Sequence, residues 1–145
     1  MALLHLDVLT VERTVFSNDV DAIVATSVDG QISILPGHVP LVTLLQPGEL
    51  MARRDGDERI LFVSGGFLQV SADEATVLAD ACEYAEEIDV QRAEAARQRA
   101  QELLAAGGYD VDAVAAEAAL RRSLARIRVA NLRRRSPHSH NRPFE

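Results

Sequence analysis

Arg92 and Arg99 lie seven positions apart, and Arg122 and Arg126 four apart, in two stretches whose apolar residues recur at helical spacing. Spacings of seven and four put each pair on one face of its helix. Should the two faces meet, four guanidinium groups converge, an arrangement that like charges tolerate only around an anion or a carboxylate. The guanidinium fork suits phosphate oxygens, so the chemistry suggested is capture of a nucleoside triphosphate. Glu83 and Asp89, close by in sequence, could accept from an adenine amino group or a ribose hydroxyl. Equally, the arginines could lie in solvent and pair with Glu94, Glu102 or Glu117.

A second basic feature runs from Ala119 to Arg135, with seven arginines and no acid. It reads either as a solvated helix face or, through Arg121, Arg128 and Arg133, as a docking stripe for an acidic protein partner. Nucleic acid is disfavoured by the acidic total charge of -7 and by the lack of aromatic residues in the stripe to stack on bases. No catalytic constellation appears. His5 and His38 are far apart, and His138 and His140 form only an H-x-H near the C-terminal end, a weak metal signal. A chain without lysine has no Walker-type phosphate loop, so a nucleotide bound here is expected to be sensed rather than hydrolysed. The reading is therefore of a protein that is not an enzyme.

These residues hang on one joint, Ile88-Asp89-Val90-Gln91-Arg92-Ala93. Before it the apolar residues recur every second position; after it, every third or fourth. Asp89 is placed as a helix N-cap, with Ile88 and Ala93 in the positions of a hydrophobic staple. Upstream, Leu4-Leu6-Val8 alternate as a strand, and Thr14-Val15-Phe16 begins another before the turn-forming Ser17-Asn18-Asp19. Ala22 to Val28 ends at a hairpin signal, Asp29-Gly30, and Ile32 and Ile34 follow. Pro36-Gly37 and Pro47-Gly48 read as strand breaks on either side of Leu41 to Leu45. Further turns fall at Arg54-Asp55-Gly56-Asp57, at Ser64-Gly65-Gly66 and at Ser71-Ala72-Asp73-Glu74. Eight to ten short strands without a helical pattern between them predict an antiparallel sandwich or flattened barrel with a Leu, Ile and Val core.

Downstream, one helix carries the stripe Ala93, Ala96, Ala100, Leu103 and Leu104 and stops at Gly107-Gly108. A second begins at Asp110 or Asp112, with the stripe Ala113, Ala116, Leu120, Leu124 and Ile127. So short a connection makes an antiparallel hairpin. Its alanine-rich faces bury little apolar area, so closed and opened hairpins should lie close in energy. The fold class is thus α+β: a sandwich over residues 1–86, a helical hairpin over 87–135 and a disordered tail over 136–145.

Charge follows the same division. Residues 1–86 carry fourteen acids and four arginines; residues 87–145 carry eleven arginines and eight acids. Neither a spanning helix nor a signal peptide is read, which predicts a soluble protein that stays inside. The single Cys82, in an apolar setting, reads as a small buried hydrophobe.

Gly30-Gln31-Ile32-Ser33-Ile34-Leu35-Pro36-Gly37-His38-Val39-Pro40-Leu41, then Gln46-Pro47-Gly48 and Ser64-Gly65-Gly66-Phe67, resembles the epsilon subunit of the F-type ATP synthase. The likeness extends to about residue 135, with Ser33 standing where glycine is commoner. It implies a flattened ten-stranded β-sandwich followed by two helices, in a non-catalytic subunit of the rotating central stalk. The expected partners are the gamma subunit, the ring of c subunits and the catalytic alpha and beta subunits. The expected place is the cytoplasmic face of the bacterial plasma membrane, touched only through the complex.

Gln31 and His38 fall in the loop region similar to the family's contact surfaces. In some bacterial members, Ile or Leu-Asp-x-x-Arg-Ala opens an ATP site. Here Ile88, Asp89, Arg92 and Ala93 match it, and Glu83, Arg99, Arg122 and Arg126 match the positions that complete it. ATP is thus expected as a regulatory ligand, with no cofactor required. The rival reading is a free-standing β-sandwich adaptor with a basic helical arm for nucleic acid or an acidic protein.

Overall fold

Leu4, Leu6 and Val8 alternate with His5 and Asp7, and that period of two gives β1 (Leu4–Leu9) one fully buried and one outward edge. The computed structural model describes residues 2–107 and 111–135. Eight more strands follow: β2 (Thr14–Val20), β3 (Ala22–Ser27), β4 (Gly30–Ile34), β5 (Leu41–Arg54), β6 (Asp57–Val63), β7 (Gly66–Ser71), β8 (Glu74–Ala79) and β9 (Cys82–Tyr84). A 3-10 turn, Ala85–Glu87, leads to α1 (Val90–Ala105) and α2 (Val111–Arg135). The nine strands among the described residues belong to one sheet in the order β2-β1-β8-β7-β5-β3-β4, with β6 on β5 and β9 on β6. The sheet curls over a core of Leu4, Leu6, Val20, Ile23, Ile34, Leu50, Leu61 and Leu68. Every pairing is antiparallel except β1 with β8, which is parallel.

Three local expectations are corrected. Ser17-Asn18-Asp19 is no turn but lies inside β2, because Ser17 and Asp19 face outward and bond Asp7 and His5 across the strand pair, while Asn18 on the other face accepts from Arg54. The loop between β3 and β4 is Val28-Asp29 rather than Asp29-Gly30. Ser27 pairs with Gly30 there, and the Ser27 hydroxyl donates to the Gly30 carbonyl at 2.7 Å. Pro47-Gly48 does not break a strand. The 14-residue β5 runs through it and exchanges β7 for β6 as its partner there, at a ladder irregularity that tolerates a residue with no N–H to donate. Asp55 (φ 51°) and Gly56 (φ 85°) both take positive φ, as a two-residue hairpin turn requires.

β6 explains why helices dock on a sandwich. Ile60, Leu61, Phe62 and Val63 are all buried. Leu61 and Val63 point into the sandwich core, whereas Ile60 and Phe62 join a second cluster with Ala85, Ile88, Ala125, Val129 and Ala130. That second cluster fastens α2 to the sheet. α2 consequently buries two lines: Ala125 and Val129 toward the sheet, and Ala116 and Ser123, with Ala93 and Ala100 of α1, in the helix pair. The expected stripes are thereby corrected, since Leu103 and Leu124 are exposed and Ser123, Ala125, Val129 and Ala130 are buried instead. A helix packed on two sides has no single apolar face for a 3.6-residue period to reveal. Asp89 does cap α1, accepting from the Arg92 N–H at 3.0 Å, and Gly107 (φ 71°) ends it. Gly108, Asp110 and the expected tail, with His138 and His140, lie outside the described residues, and the Asp112 side chain is likewise outside.

On the outward edge of β1, the His5 ring faces two carboxylates, with Nδ1 2.9 Å from Asp19 and Nε2 3.2 Å from Asp7. The Ser17 hydroxyl also donates to Asp7, at 2.6 Å. Acceptors on both sides favour the protonated imidazole, and its pKa is raised from the ordinary 6.5, chiefly by the bond to Asp19. A raised folded-state pKa stabilises below the unfolded value and ceases to do so as pH rises through the folded one. Thermal melts should therefore show wild type gaining over His5→Gln at pH 5.5 and losing that margin by pH 8.5.

Candidate functional site

The seam between α1, α2 and the sandwich is built from β9 onward. Tyr84 anchors the chain there: its hydroxyl donates to the Val15 carbonyl at 3.1 Å, and burial raises its pKa. The following 3-10 turn buries Ala85 and delivers Ile88 into the second cluster. Asp89 then starts α1, so a residue expected at the ligand also holds the helix start. Ala93 is buried in the first turn.

Opposite Glu83 on the β6–β9 pair stands Phe62. Arg126 of α2 reaches both: its Nε donates to Glu83 Oε1 at 2.8 Å, and its guanidinium carbon sits 4.7 Å from the centroid of the Phe62 ring. One turn earlier, half-buried Arg122 lines a groove of about 320 Å³ with Pro47, Ser64, Glu117, Ala118 and Arg121. By helical phase, Arg122 and Arg126 lie between the sheet-facing and α1-facing lines of α2. Arg92 and Arg99 are exposed along one side of α1.

Counter-charges are unevenly shared. Arg97 takes Glu94 at 2.7 Å, Arg121 takes Glu117 at 2.9 Å and Arg126 takes Glu83. Among the described residues, Arg92, Arg99 and Arg122 make no ion pair. Two of the acids named as alternative partners are thus used, but by neighbours of the arginines in question, and Glu102 receives Gln98 instead. Of the expected set, contacts join Glu83 to Arg126 and Asp89 to the Arg92 backbone. No hydrogen bond or ion pair among the described residues joins Arg92, Arg99 and Arg122.

The expected partner-contact residues are scattered. Gln31 is a strand residue of β4, not a loop residue, and donates to Glu49 at 3.4 Å. His38 lies in the loop after β4, its Nδ1 2.7 Å from the Val39 carbonyl. Arg128 is exposed beside Leu124, Ile127, Asn131 and Leu132, and Arg133 falls outside the described side chains. Cys82 is half-buried rather than buried, and loss of solvent around the thiol, with Glu83 and Glu87 nearby, pushes its pKa up to about 12.

One surface was not anticipated. Leu44, Phe67 and Leu78 are each about half exposed and stand directly opposite one another on β5, β7 and β8, with Leu9 of β1 next in line. They form an apolar row on the outside of the sheet. Its sequence signal is the doublets Leu44-Leu45, Phe67-Leu68 and Val77-Leu78, where both faces of a strand are apolar.

Residues 3–85 match the family model described as ATP synthase, Delta/Epsilon chain, beta-sandwich domain, and residues 86–131 the one described as its long alpha-helix domain. The ATP synthase epsilon chain of Dehalococcoides mccartyi is 50% identical over 139 residues, 94% of this chain and 99% of that one. The chain belongs to the ATP synthase epsilon chains. The epsilon chain of Herpetosiphon aurantiacus is 45% identical over 131 residues, 90% of this chain and 96% of its own. In fold, the chain resembles a component of the Euglena gracilis mitochondrial ATP synthase OSCP/F1/c-ring structure, at a TM-score of 0.80 and 24% identity, over 91% of this chain and 82% of the other. As an epsilon chain it is a non-catalytic stalk subunit of the F-type ATP synthase.

Proposed function

We propose that this epsilon chain is a rotor subunit that couples proton flow to ATP synthesis and brakes ATP hydrolysis through a nucleotide-sensitive helical pair. The observation that carries the nucleotide reading is the trio Arg92, Arg99 and Arg122, which make no ion pair among the described residues while Arg97, Arg121 and Arg126 are each paired. Guanidinium groups with free forks near a seam are suited to a polyphosphate. Ile88, Asp89 and Ala93 complete the proposed site, and Glu83 and Arg126 border it.

ATP bound at the seam holds the helices on the sandwich. When ATP is scarce the pair opens, and the basic stripe containing Arg121, Arg128 and Arg133 meets acidic surface on the catalytic alpha and beta subunits. A ligand at a hundredfold excess over its Kd stabilises the closed form by about 2.7 kcal/mol, enough to tip a helix pair whose buried residues, among those described, are mostly alanines. The apolar row Leu44–Phe67–Leu78 supports attachment of the sandwich to the gamma subunit, and the region of Gln31 and His38 is offered to the ring of c subunits. No described helix is long and apolar enough to cross a membrane. In this reading the chain sits, as part of the complex, at the cytoplasmic face of the bacterial plasma membrane.

Titrating ATP into the purified chain by calorimetry is expected to give saturable heat, and Arg92→Ala to weaken it about tenfold, a value typical of one charge-assisted contact. Asp89 still caps the helix in that variant and alanine is a good helix former, so its helicity should not change. Absence of heat at millimolar ATP removes the nucleotide switch and leaves the coupling role.

A further inference from the structure

We infer that Phe62, Glu83 and Arg126 form a clamp that closes the helical pair on the sandwich without any nucleotide, leaving the phosphates to Arg92, Arg99 and Arg122. The division of labour rests on the nucleotide reading above; the clamp itself does not. Phe62 is fully buried, so its ring is fixed by the second cluster and offers a rigid face to the guanidinium 4.7 Å away. Glu83 comes from the strand paired with Phe62's own, directly across the ladder, so sheet hydrogen bonding sets the carboxylate and the ring side by side. Among the described residues Arg126 alone spans the two, and it is the α2 residue whose ion pair reaches the sandwich. Neighbouring Ala125 and Val129 are buried against the same cluster, so the clamp closes over a packed apolar contact and shields it.

The same geometry argues against Arg126 as a phosphate ligand. Its Nε is already committed to a carboxylate at 2.8 Å. A phosphate drawn to Arg126 would meet the negative Glu83 as well, and repulsion by the second charge cancels most of the attraction of the first. To bind phosphate alone, Arg126 would have to leave both the ring and the acid. Arg92, Arg99 and Arg122 have no such competitor among the described residues. Arg126 is therefore a positioning residue that sets the fraction of molecules able to receive a ligand, and Phe62 is its platform.

The test uses the full chain with dyes on Gln69→Cys and Gln101→Cys in a Cys82→Ala background, read by energy transfer at a urea concentration where closed and open forms coexist. Without nucleotide, Arg126→Ala should lower the closed-to-open ratio about tenfold, losing both ring stacking and ion pair. Glu83→Gln should lower it less, because Arg126 and Glu83 side chains are 31% and 29% exposed and solvent screens them. Arg126→Lys should restore part of the ratio, and Phe62→Leu, which keeps the apolar filling but removes the ring, should reduce it. A clamp lowers apparent affinity only through the closed fraction, so Arg126→Ala should weaken ATP and AMP by the same factor. An unchanged closed-to-open ratio in Arg126→Ala overturns the clamp. A larger loss for ATP than for AMP overturns it too, by making Arg126 a phosphate ligand. If wild type binds neither nucleotide, the nucleotide reading fails alone and the energy-transfer arm still decides the clamp.

Discussion

Gly66→Ala should cost the sandwich more than about 3 kcal/mol and leave little folded protein at 37 °C, since a clash and a forbidden dihedral add. Gly66 has φ 141°, a region L side chains rarely adopt, and a methyl there would stand 2.0 Å from the Leu78 carbonyl oxygen. Relief by movement is blocked, because Gly66 is paired with Ala79 on one side and Leu45 on the other. Gly56→Ala is the matched control: φ is also positive, at 85°, but nothing lies within 4 Å of the added carbon. It should cost only about 1 kcal/mol, the dihedral penalty alone. Urea unfolding of the two variants measures the difference; equal costs would mean that the β7–β8 pair yields to the methyl.

Phe67→Glu is expected to reduce binding to the gamma subunit at least about a hundredfold while leaving the fold intact. Phe67 is 51% exposed, so a charge at that position remains solvated in the free chain. In the complex the same charge would be buried against apolar surface at the centre of the Leu44–Phe67–Leu78 row, where an unpaired ion costs several kcal/mol. Arg121→Glu, on α2 and outside the row, should leave attachment unchanged. Surface plasmon resonance with immobilised gamma separates the cases, and undiminished binding by Phe67→Glu would move the attachment surface elsewhere on the chain.

Both effects depend on features that differ in how far sequence reveals them. The order of strands and helices was legible because period two gives way to period 3.6 at Ile88-Asp89, and Asp89 caps the helix where that change falls. Three turns were legible from glycine and its neighbours. Pro47 misled, since proline signals a break only where no partner change can use its missing N–H, and partner changes are a property of the sheet rather than of the segment. The stripes on α2 misled because a helix held on two sides buries alanine and serine where a one-sided helix buries leucine. At the site, residue types and spacing named the arginines, but not which of them had already been claimed by acids. That allotment depends on α2 coming to rest against Phe62, a contact between residues far apart in the chain.

The parallel pairing of β1 with β8 has a consequence for how the molecule is made. His5 sits against Glu74, so the first strand waits for a partner about 70 residues downstream. At ribosomal speeds of about 5–20 residues per second that delay is roughly 4 to 14 s, during which β1 and β2 stand as a lone hairpin with Leu4, Leu6 and Val8 bare. The helical pair, whose contacts are local, closes in microseconds once released and cannot be the slow event.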